Sequence, residues 1–348
     1  MRDALKNWVE KLLSEEARAA VVADGWPRPM VDAGFSRHAK TWDVDAIFAE
    51  VERERPEAVA KQVAHIWPAL PGAGITPVLY AAAAGVETQV IKGSSRLQNF
   101  TRFACAHAPC CVAQFTANSP ENLWKEADIL VVSGSDETIE DVKNLVSPST
   151  RVVGYGHRVS VVILEEAAIL DAHDAAQKIA QDVVLWRQQG CFSVRALFWV
   201  GSVAGAQTFA GVLAEKIADV EKEFGAVQID ASSAAKRAQA KGVAELKGRV
   251  WGAGIGWTTI SSGSFRGDAP GLQSVGIYVA GTLDEALSKV ELASRNRQGV
   301  ALLASDEKEW AAQILASGFT RVCGPGELQT PPADWPHDGL PNSIVYTL

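Results

Sequence analysis

The chain has 348 residues, of which 47% are apolar and 21% charged, and 33 basic against 41 acidic side chains give a formal net charge of −8. Such a length predicts about two domains with large buried cores, and the composition excludes disordered and fibrous classes. The acidic balance, with no dense Lys/Arg run anywhere, argues against a nucleic-acid partner or an anionic membrane surface.

In chain order, Leu5, Trp8, Val9, Leu12 and Leu13 form one apolar stripe, the spacing of an N-terminal helix. Residues 25–34, rich in glycine and proline, read as a linker, and Asp43 reads as the cap of a second helix carrying Ile47, Phe48 and Val51. From about residue 63 the pattern alternates. Strands are predicted over 63–67, 88–91, 111–115 and 128–133, a Gly/Pro loop over 70–76, and helical segments over 78–84, 123–127 and 136–145. A second series starts near 151: strands over 152–153 and 159–164, a helix over 171–186, a strand over 275–279, a helix over 283–294, a strand over 300–304 and a helix over 308–315. Strands separated by helix-length segments imply βαβ units and parallel sheets, hence an α/β fold. Residues 324–341 read as a long irregular tail. The uncharged run 196–214 contains Ser, Gln and Thr and has no flanking basic clusters, so it is expected as a buried element rather than a membrane span.

Five cysteines are present: Cys105, Cys110, Cys111, Cys191 and Cys323. The opening segment is charged throughout and carries no secretory leader, so a reducing cytoplasm with free thiols is the expected setting. The cluster CAHAPCC (Cys105, His107, Cys110, Cys111) has four metal-ligand side chains, but adjacent cysteines suit a tetrahedral zinc poorly and no second ligand pair follows. No metal is expected. Cys191, in WRQQGCFS, differs from the others. It follows an amphipathic helix and adjoins Gly190, so the turn can present both its thiol and its N–H, the pairing of a nucleophile with an oxyanion donor.

Neither GxGxxG nor GxxxxGK[ST] occurs. Gly134 and Ser135 instead join a strand to a helix whose first N–H groups can face a phosphate, although Asp136 and Glu137 in its first turn weaken such a grip. The segment IKGSSR (residues 91–96) follows a strand, where α/β sheets bind ligands. His157, in GYGHR, is a candidate proton shuttle.

In this order, VVSGSDETIEDVKNLVSPSTRVVGYGHRVSVVIL, WRQQGCFSVRAL and TRVCGPGELQTPPADWPHDG resemble the acyl-CoA reductases of the LuxC type, a branch of the aldehyde dehydrogenase superfamily, over roughly residues 60–348. The resemblance implies an aldehyde dehydrogenase-like fold of two domains, each built on a mostly parallel three-layer sheet. Residues 1–156, rejoined by 326–348, would form the nucleotide-binding domain, and 157–325 the domain with the catalytic thiol. It also implies NADPH-dependent reduction of an acyl-CoA or acyl-protein thioester to the aldehyde through an acyl-enzyme on Cys191, with His157 as acid or base. Lys92, Ser94, Ser95 and Arg96 would hold the adenosine ribose, and Gly134 and Ser135 the pyrophosphate. Ser95 stands where many NAD-preferring members have glutamate, and Arg96 adjoins it, which favours NADPH. Two departures matter. GYGHR replaces the segment bearing the water-activating glutamate of hydrolytic members, so an acyl-enzyme can persist until it meets hydride. In PGAGITP (residues 71–77) the oxyanion asparagine is missing; Thr76 or backbone amides replace it, or turnover is slow. Expected partners are the thioester substrate and a homo-oligomer or a complex with an acyl-transfer or acyl-activating protein. An aldehyde dehydrogenase working in the oxidative direction, or a non-catalytic scaffold of the same fold, are the competing readings.

Overall fold

The computed structural model describes residues 1–109, 111–115, 125–225 and 231–348. The chain divides into two compact units, Met1–His157 with Thr330–Leu348, and Arg158–Gln329.

The first unit opens with four helices, α1 (Arg2–Leu12), α2 (Glu15–Ala23), α3 (Arg28–Thr41) and α4 (Val44–Glu54). Helix α3 occupies the stretch expected as a linker. Pro29 lies in its first turn, where a missing N–H costs nothing, and Gly34 is buried among Met30, Val31 and Phe35. Asp43 does cap α4, its Oδ1 accepting from the N–H groups of Asp45 and Ala46. Then come β1 (Gln62–Ile66), α5 (Ile75–Ala84), β2 (Thr88–Lys92), α6 (Gln98–His107), β3 (Cys111–Phe115), β4 (Ile129–Ser133), α7 (Asp136–Lys143) and β5 (Arg151–Tyr155). Helix α6 escaped the periodicity. Its start is held by Asp24, whose carboxylate accepts from the N–H groups of Asn99 and Phe100, and its end meets Trp8, which donates to the Ala104 carbonyl at 2.9 Å.

All five strands run parallel in the order β3-β2-β1-β4-β5. Because successive side chains alternate faces, Ala64, Val90, Leu130 and Val132 pack with Ile139 and Val142 of α7. On the other face Gln89 donates to the Val78 carbonyl of α5. The tail 330–348 is bound to this unit rather than loose. Tyr80 donates to Ala333 O at 2.7 Å, Tyr346 donates to Pro77 O at 2.8 Å, and Glu54 accepts from the N–H groups of Asn342 and Ser343.

The second unit contains β6 (Val159–Glu165), α8 (Ala172–Val184), β7 (Val194–Val200), α9 (Val203–Phe224), α10 (Ala231–Lys247), β8 (Val250–Trp251), β9 (Trp257–Ile260), β10 (Ser274–Ala280), α11 (Leu283–Ser288), β11 (Arg297–Leu303), α12 (Glu307–Ala316) and β12 (Arg321–Cys323). Its seven-stranded sheet has the order β12-β11-β6-β7-β10-β9-β8, parallel except for the β8–β9 pair. Val161, Ile163, Phe198, Tyr278 and Leu302 form one core with Leu283 and Ile314. On the opposite face Trp199 meets Phe209 of α9 with ring centroids 5.2 Å apart. The uncharged run 196–214 therefore splits at Gly201 and Ser202 into a central strand and a helix. Among the described residues no helix is long and apolar enough to cross a membrane.

Two histidines are held neutral in the first unit, His65 buried and His38 half-buried. His65 on β1 shares a 2.8 Å hydrogen bond between Nε2 and Gln89 Oε1, and His38 on α3 is stacked on Trp42 at 4.7 Å with its Nε2 3.1 Å from Pro71 O. Burial lowers both pKa values to about 4. The unfolded chain takes up these protons below about pH 6.5, whereas the folded chain does so only near pH 4. Stability is therefore full above pH 6.5 and falls as pH drops toward 4. Urea unfolding should show a loss of about 2 kcal/mol per histidine between pH 7 and 5, and His65→Gln should remove about half of that fall. Equal pH dependence in the two proteins would refute the assignment.

Candidate functional site

In the first sheet the strand order reverses between β1 and β4, and the carboxyl ends of strands at such a reversal are where these sheets take ligands. After β1, the Trp67 N–H donates to the Lys92 carbonyl at 2.9 Å. Its indole is 5% exposed and covers Gly74, where a Cβ would lie 2.2 Å from the ring, and its Nε1–H is buried without an acceptor. Gly72, at φ +78°, passes so close to His38 that a Cβ would lie 2.5 Å from Nε2. The loop 67–74 is thus shaped by aromatic packing, and Thr76 follows in the first turn of α5, half-buried.

Lys92 ends β2 half-buried, and its pKa is lowered by desolvation and by the charge of Lys125. At Gly93 a Cβ would meet the Thr101 side chain at 2.7 Å, which sets how closely the loop approaches α6. Ser94 Oγ accepts from the Arg96 N–H at 3.2 Å, while Ser95 and Arg96 are exposed. After β4, the Gly134 N–H donates to Tyr155 O at 3.2 Å, and Ser135 caps α7 by accepting from the Thr138 N–H at 3.2 Å. Asp136 Oδ1 accepts from the His157 N–H at 2.8 Å and lies where a Cβ on Gly156 would come to 2.3 Å. This tie between the β4–α7 turn and GYGHR was not anticipated from the sequence. The His157 residue itself is exposed.

In the second unit α8 ends at Val184, and Trp186, Arg187 and Gln188 then adopt left-handed φ values of 55°, 58° and 58°. Each costs about 1–3 kcal/mol in a non-glycine residue. Gln188, 2% exposed, reaches from this turn to Val194 O at 2.6 Å and Ser274 O at 3.0 Å, joining the starts of β7 and β10. Ser193 N–H donates to Gly190 O at 3.1 Å, so Cys191 and Phe192 are the central residues of a tight turn. Ser160 on β6 donates from Oγ to the Cys191 carbonyl at 2.8 Å. The Arg321 guanidinium lies 5.8 Å from the centre of the Phe192 ring.

Cys191 is half-buried and forms no disulfide. It stands at the amino end of β7, not at the carboxyl edge that usually collects ligands. Cys105 and Cys323 form no disulfide either, but burial pushes their thiols up to about 12, far from useful thiolate. The side chains of Cys110 and Cys111 lie outside the described residues, as do residues 123 and 124 of the predicted helical segment 123–127. His107 Nδ1 donates to Phe103 O at 2.8 Å, and among the described residues no group of three or more His, Cys, Asp or Glu gathers as a metal site. The aromatic side chains of the run 196–214 divide between the two faces of the second sheet. Phe198 packs 5.3 Å from Tyr278 on one face of the sheet, and Trp199 and Phe209 pack on the other.

Two kinds of likeness to known proteins accompany this geometry. A family model described as acyl-CoA reductase (LuxC) matches residues 112–344. The long-chain acyl-protein thioester reductase of Aliivibrio fischeri is 27% identical over 81 residues, which are 23% of this chain and 16% of that protein, so the match spans less than one fifth of the relative. The chain also superposes on an oxidoreductase from Marinobacter aquaeolei with a TM-score of 0.74 at 15% identity, covering 92% of this chain and 76% of the other. For the NADP-dependent glyceraldehyde-3-phosphate dehydrogenase of Bacillus halodurans the TM-score is 0.68 at 15% identity, with coverage of 92% and 77%. The fold is that of the aldehyde dehydrogenases.

Gln188 holds the thiol turn shut against its own backbone strain. Gln188→Ala removes one donor from each of two carbonyls at the starts of β7 and β10, and urea unfolding should register a loss of roughly 2 to 4 kcal/mol, with faster amide exchange across residues 186–194. Unchanged exchange there would show that the amide is dispensable.

Proposed function

The chain belongs to the acyl-CoA reductase (LuxC) family, and from that premise we propose that it reduces an acyl-CoA or acyl-protein thioester to the aldehyde through a thioester on Cys191. The observation that carries the reading is the Cys191 turn, a half-buried thiol outside any disulfide whose peptide is fixed by Ser160 and whose neck is closed by Gln188. A nucleophile gains most from such fixing, because an attack geometry set in advance removes orientational entropy from the barrier.

The first unit suits a dinucleotide. Its strand order reverses between β1 and β4, Gly93 and Gly134 follow β2 and β4 with little room for a side chain, and the Trp67 indole N–H after β1 is a donor without an acceptor. Lys92, Ser94, Ser95 and Arg96 are proposed to hold the adenosine ribose, and Gly134 and Ser135 the pyrophosphate. Ser135 already spends its hydroxyl on Thr138, so the backbone does most of that work, and the neighbouring Asp136 and Glu137 keep the grip loose. The exposed Arg96 beside Ser95, with no carboxylate between them, favours a 2′-phosphate and hence NADPH. When bound, the reduced nicotinamide supplies the hydride.

The thiolate of Cys191 attacks the acyl carbon, its new C–S bond forms as the bond to the leaving sulfur breaks, and His157 is proposed to give that sulfur its proton. With no water-activating carboxylate within GYGHR, the acyl-enzyme is held for reduction rather than hydrolysis. After reduction, the Cys191–carbon bond breaks, releasing aldehyde and returning the thiolate. In sum a thioester, one hydride and one proton yield an aldehyde and a free thiol.

Purified protein given acyl-CoA and NADPH should form aldehyde, and Cys191→Ala should lower that rate at least about 1000-fold. Retained turnover would refute the nucleophile. Ser95→Glu should cut the preference for NADPH over NADH by about tenfold or more, read as the ratio of kcat/KM for the two cofactors. An unchanged ratio would remove residues 94–96 from the cofactor site.

A further inference from the structure

Helix α10 is a basic element in an acidic chain. Residues 231–249 carry Lys236, Arg237, Lys241, Lys247 and Arg249 against one acid, Glu245, whereas the whole chain has a formal net charge of −8. The helix packs lightly, with Ala244 as its buried residue. At helical spacing Lys236, Gln239, Val243, Leu246 and Lys247 share one face, and Glu245 lies half a turn round from Lys236. All five are exposed, Leu246 at 89% and Val243 at 44%. Among the described residues neither Lys236 nor Lys247 forms an ion pair. Arg249 follows the helix, exposed, with its guanidinium 5.0 Å from the centre of the Trp251 ring. Two apolar side chains thus stand between cations on a row about 16 Å long.

This face belongs to the same edge of the second sheet as the thiol turn. Half-buried Lys241, on the inner flank of α10, donates from Nζ to Gly252 O at 2.8 Å. A Cβ on Gly271 would lie 3.6 Å from the Ala240 Cβ and 3.4 Å from Ser274 Oγ, and that hydroxyl donates to Gly271 O at 2.6 Å. Ser274 begins β10, and its carbonyl accepts from Gln188, the residue that closes the neck of the Cys191 turn, at 3.0 Å. Strands β10 and β7 are parallel neighbours, so their amino ends stand about 4.8 Å apart. A continuous series of contacts within one unit therefore joins α10 to the turn that holds the thiol.

Resting on the reading of Cys191 as the acyl acceptor, we infer that the face bearing Lys236, Val243, Leu246 and Lys247 docks an acidic protein that carries the acyl group as a thioester. The preferred donor is then an acyl-protein rather than acyl-CoA. Carboxylates of the partner meet Lys236, Lys247 and Arg249, and an apolar side chain covers Leu246. An acidic partner is repelled by the chain as a whole and attracted by this helix, so its approach is steered to the edge that bears the thiol. An apolar centre inside a polar rim is the pattern of a protein interface. The phosphates of CoA could meet cations at one end of the row but would leave Leu246 uncovered.

The probe is a bacterial acyl carrier protein, a small acidic protein, loaded on its phosphopantetheine with the same fatty acyl group as an acyl-CoA control. Aldehyde formation with NADPH gives kcat/KM for both donors. Lys236→Glu, Lys247→Glu and Arg249→Glu together should lower the value for the acylated carrier by about tenfold or more and keep that for acyl-CoA within about twofold. Leu246→Ser should lower the carrier value alone, by about fivefold. Lys236→Arg with Lys247→Arg should preserve both. Raising salt from about 50 to 300 mM should raise KM for the carrier more than KM for acyl-CoA. Equal losses with the two donors in the triple variant, or no loss with the carrier, would overturn the docking face. Labelled carrier should also bind Cys191→Ala, by fluorescence anisotropy, and fail to bind the triple variant. If it does so while Cys191→Ala still makes aldehyde, the docking stands and the reading of Cys191 as nucleophile falls.

Discussion

The account depends on one constraint, the fixing of a short segment between α8 and β7 against its own backbone preferences. Three consecutive residues with side chains are held in the left-handed region, which costs several kcal/mol before any contact is made. A buried glutamine amide offsets that cost. It bonds to Val194 O and Ser274 O, two carbonyls at the starts of adjacent strands, which would otherwise lack those donors. With the neck closed, the Gly190–Ser193 turn has few alternatives, and Ser160 fixes the Cys191 peptide from the neighbouring strand. The position of the sulfur follows from main-chain hydrogen bonds rather than from the cysteine itself.

The two units use parallel sheets in different ways. In the first, features that suit a dinucleotide lie at the carboxyl ends of β1, β2 and β4, where the order β3-β2-β1-β4-β5 reverses. In the second, the thiol lies at the amino edge, in a loop entering β7. Along that edge Ser160, Gln188, Ser193, Gln273 and Ser274 are buried polar side chains. Polar groups are costly to bury unless they organise something. Here several of them organise the thiol turn.

Much of the α/β alternation was legible because strands such as Val159–Glu165 and helices such as α8 obey clean periods, and because caps at Asp43, Ser135 and Asp171 are local signals. What failed was decided at a distance. Helix α3 hides behind proline and glycine, since its stability comes from burying Met30, Val31 and Phe35. The run 196–214 has no charge to mark a surface, so its turn from strand to helix at Gly201 is hard to see in the sequence. The left-handed turn carries neither Gly nor Asn at residues 186–188, so nothing local announces it. Its cause is an amide reaching across to β10. The bulge that β7 makes at Arg195 against β6 is likewise a property of pairing between strands, invisible along one of them. In the candidate site, Cys191 could be singled out from a glycine and a helix end, whereas Ser160, Gln188, Trp67 and Asp136 became candidates only when folding brought them beside it or to the carboxyl ends of the first sheet.

The central claim concerns a bond between one sulfur and an acyl carbon. Mixing the full chain with a fatty acyl-CoA in the absence of reductant, quenching in acid and mapping the peptides by mass spectrometry tests it directly. The account predicts an added acyl mass on the peptide bearing Cys191, which disappears as aldehyde accumulates once NADPH is supplied. An acyl mass on a different cysteine, or aldehyde formed with no adduct on Cys191 at any time, would contradict it.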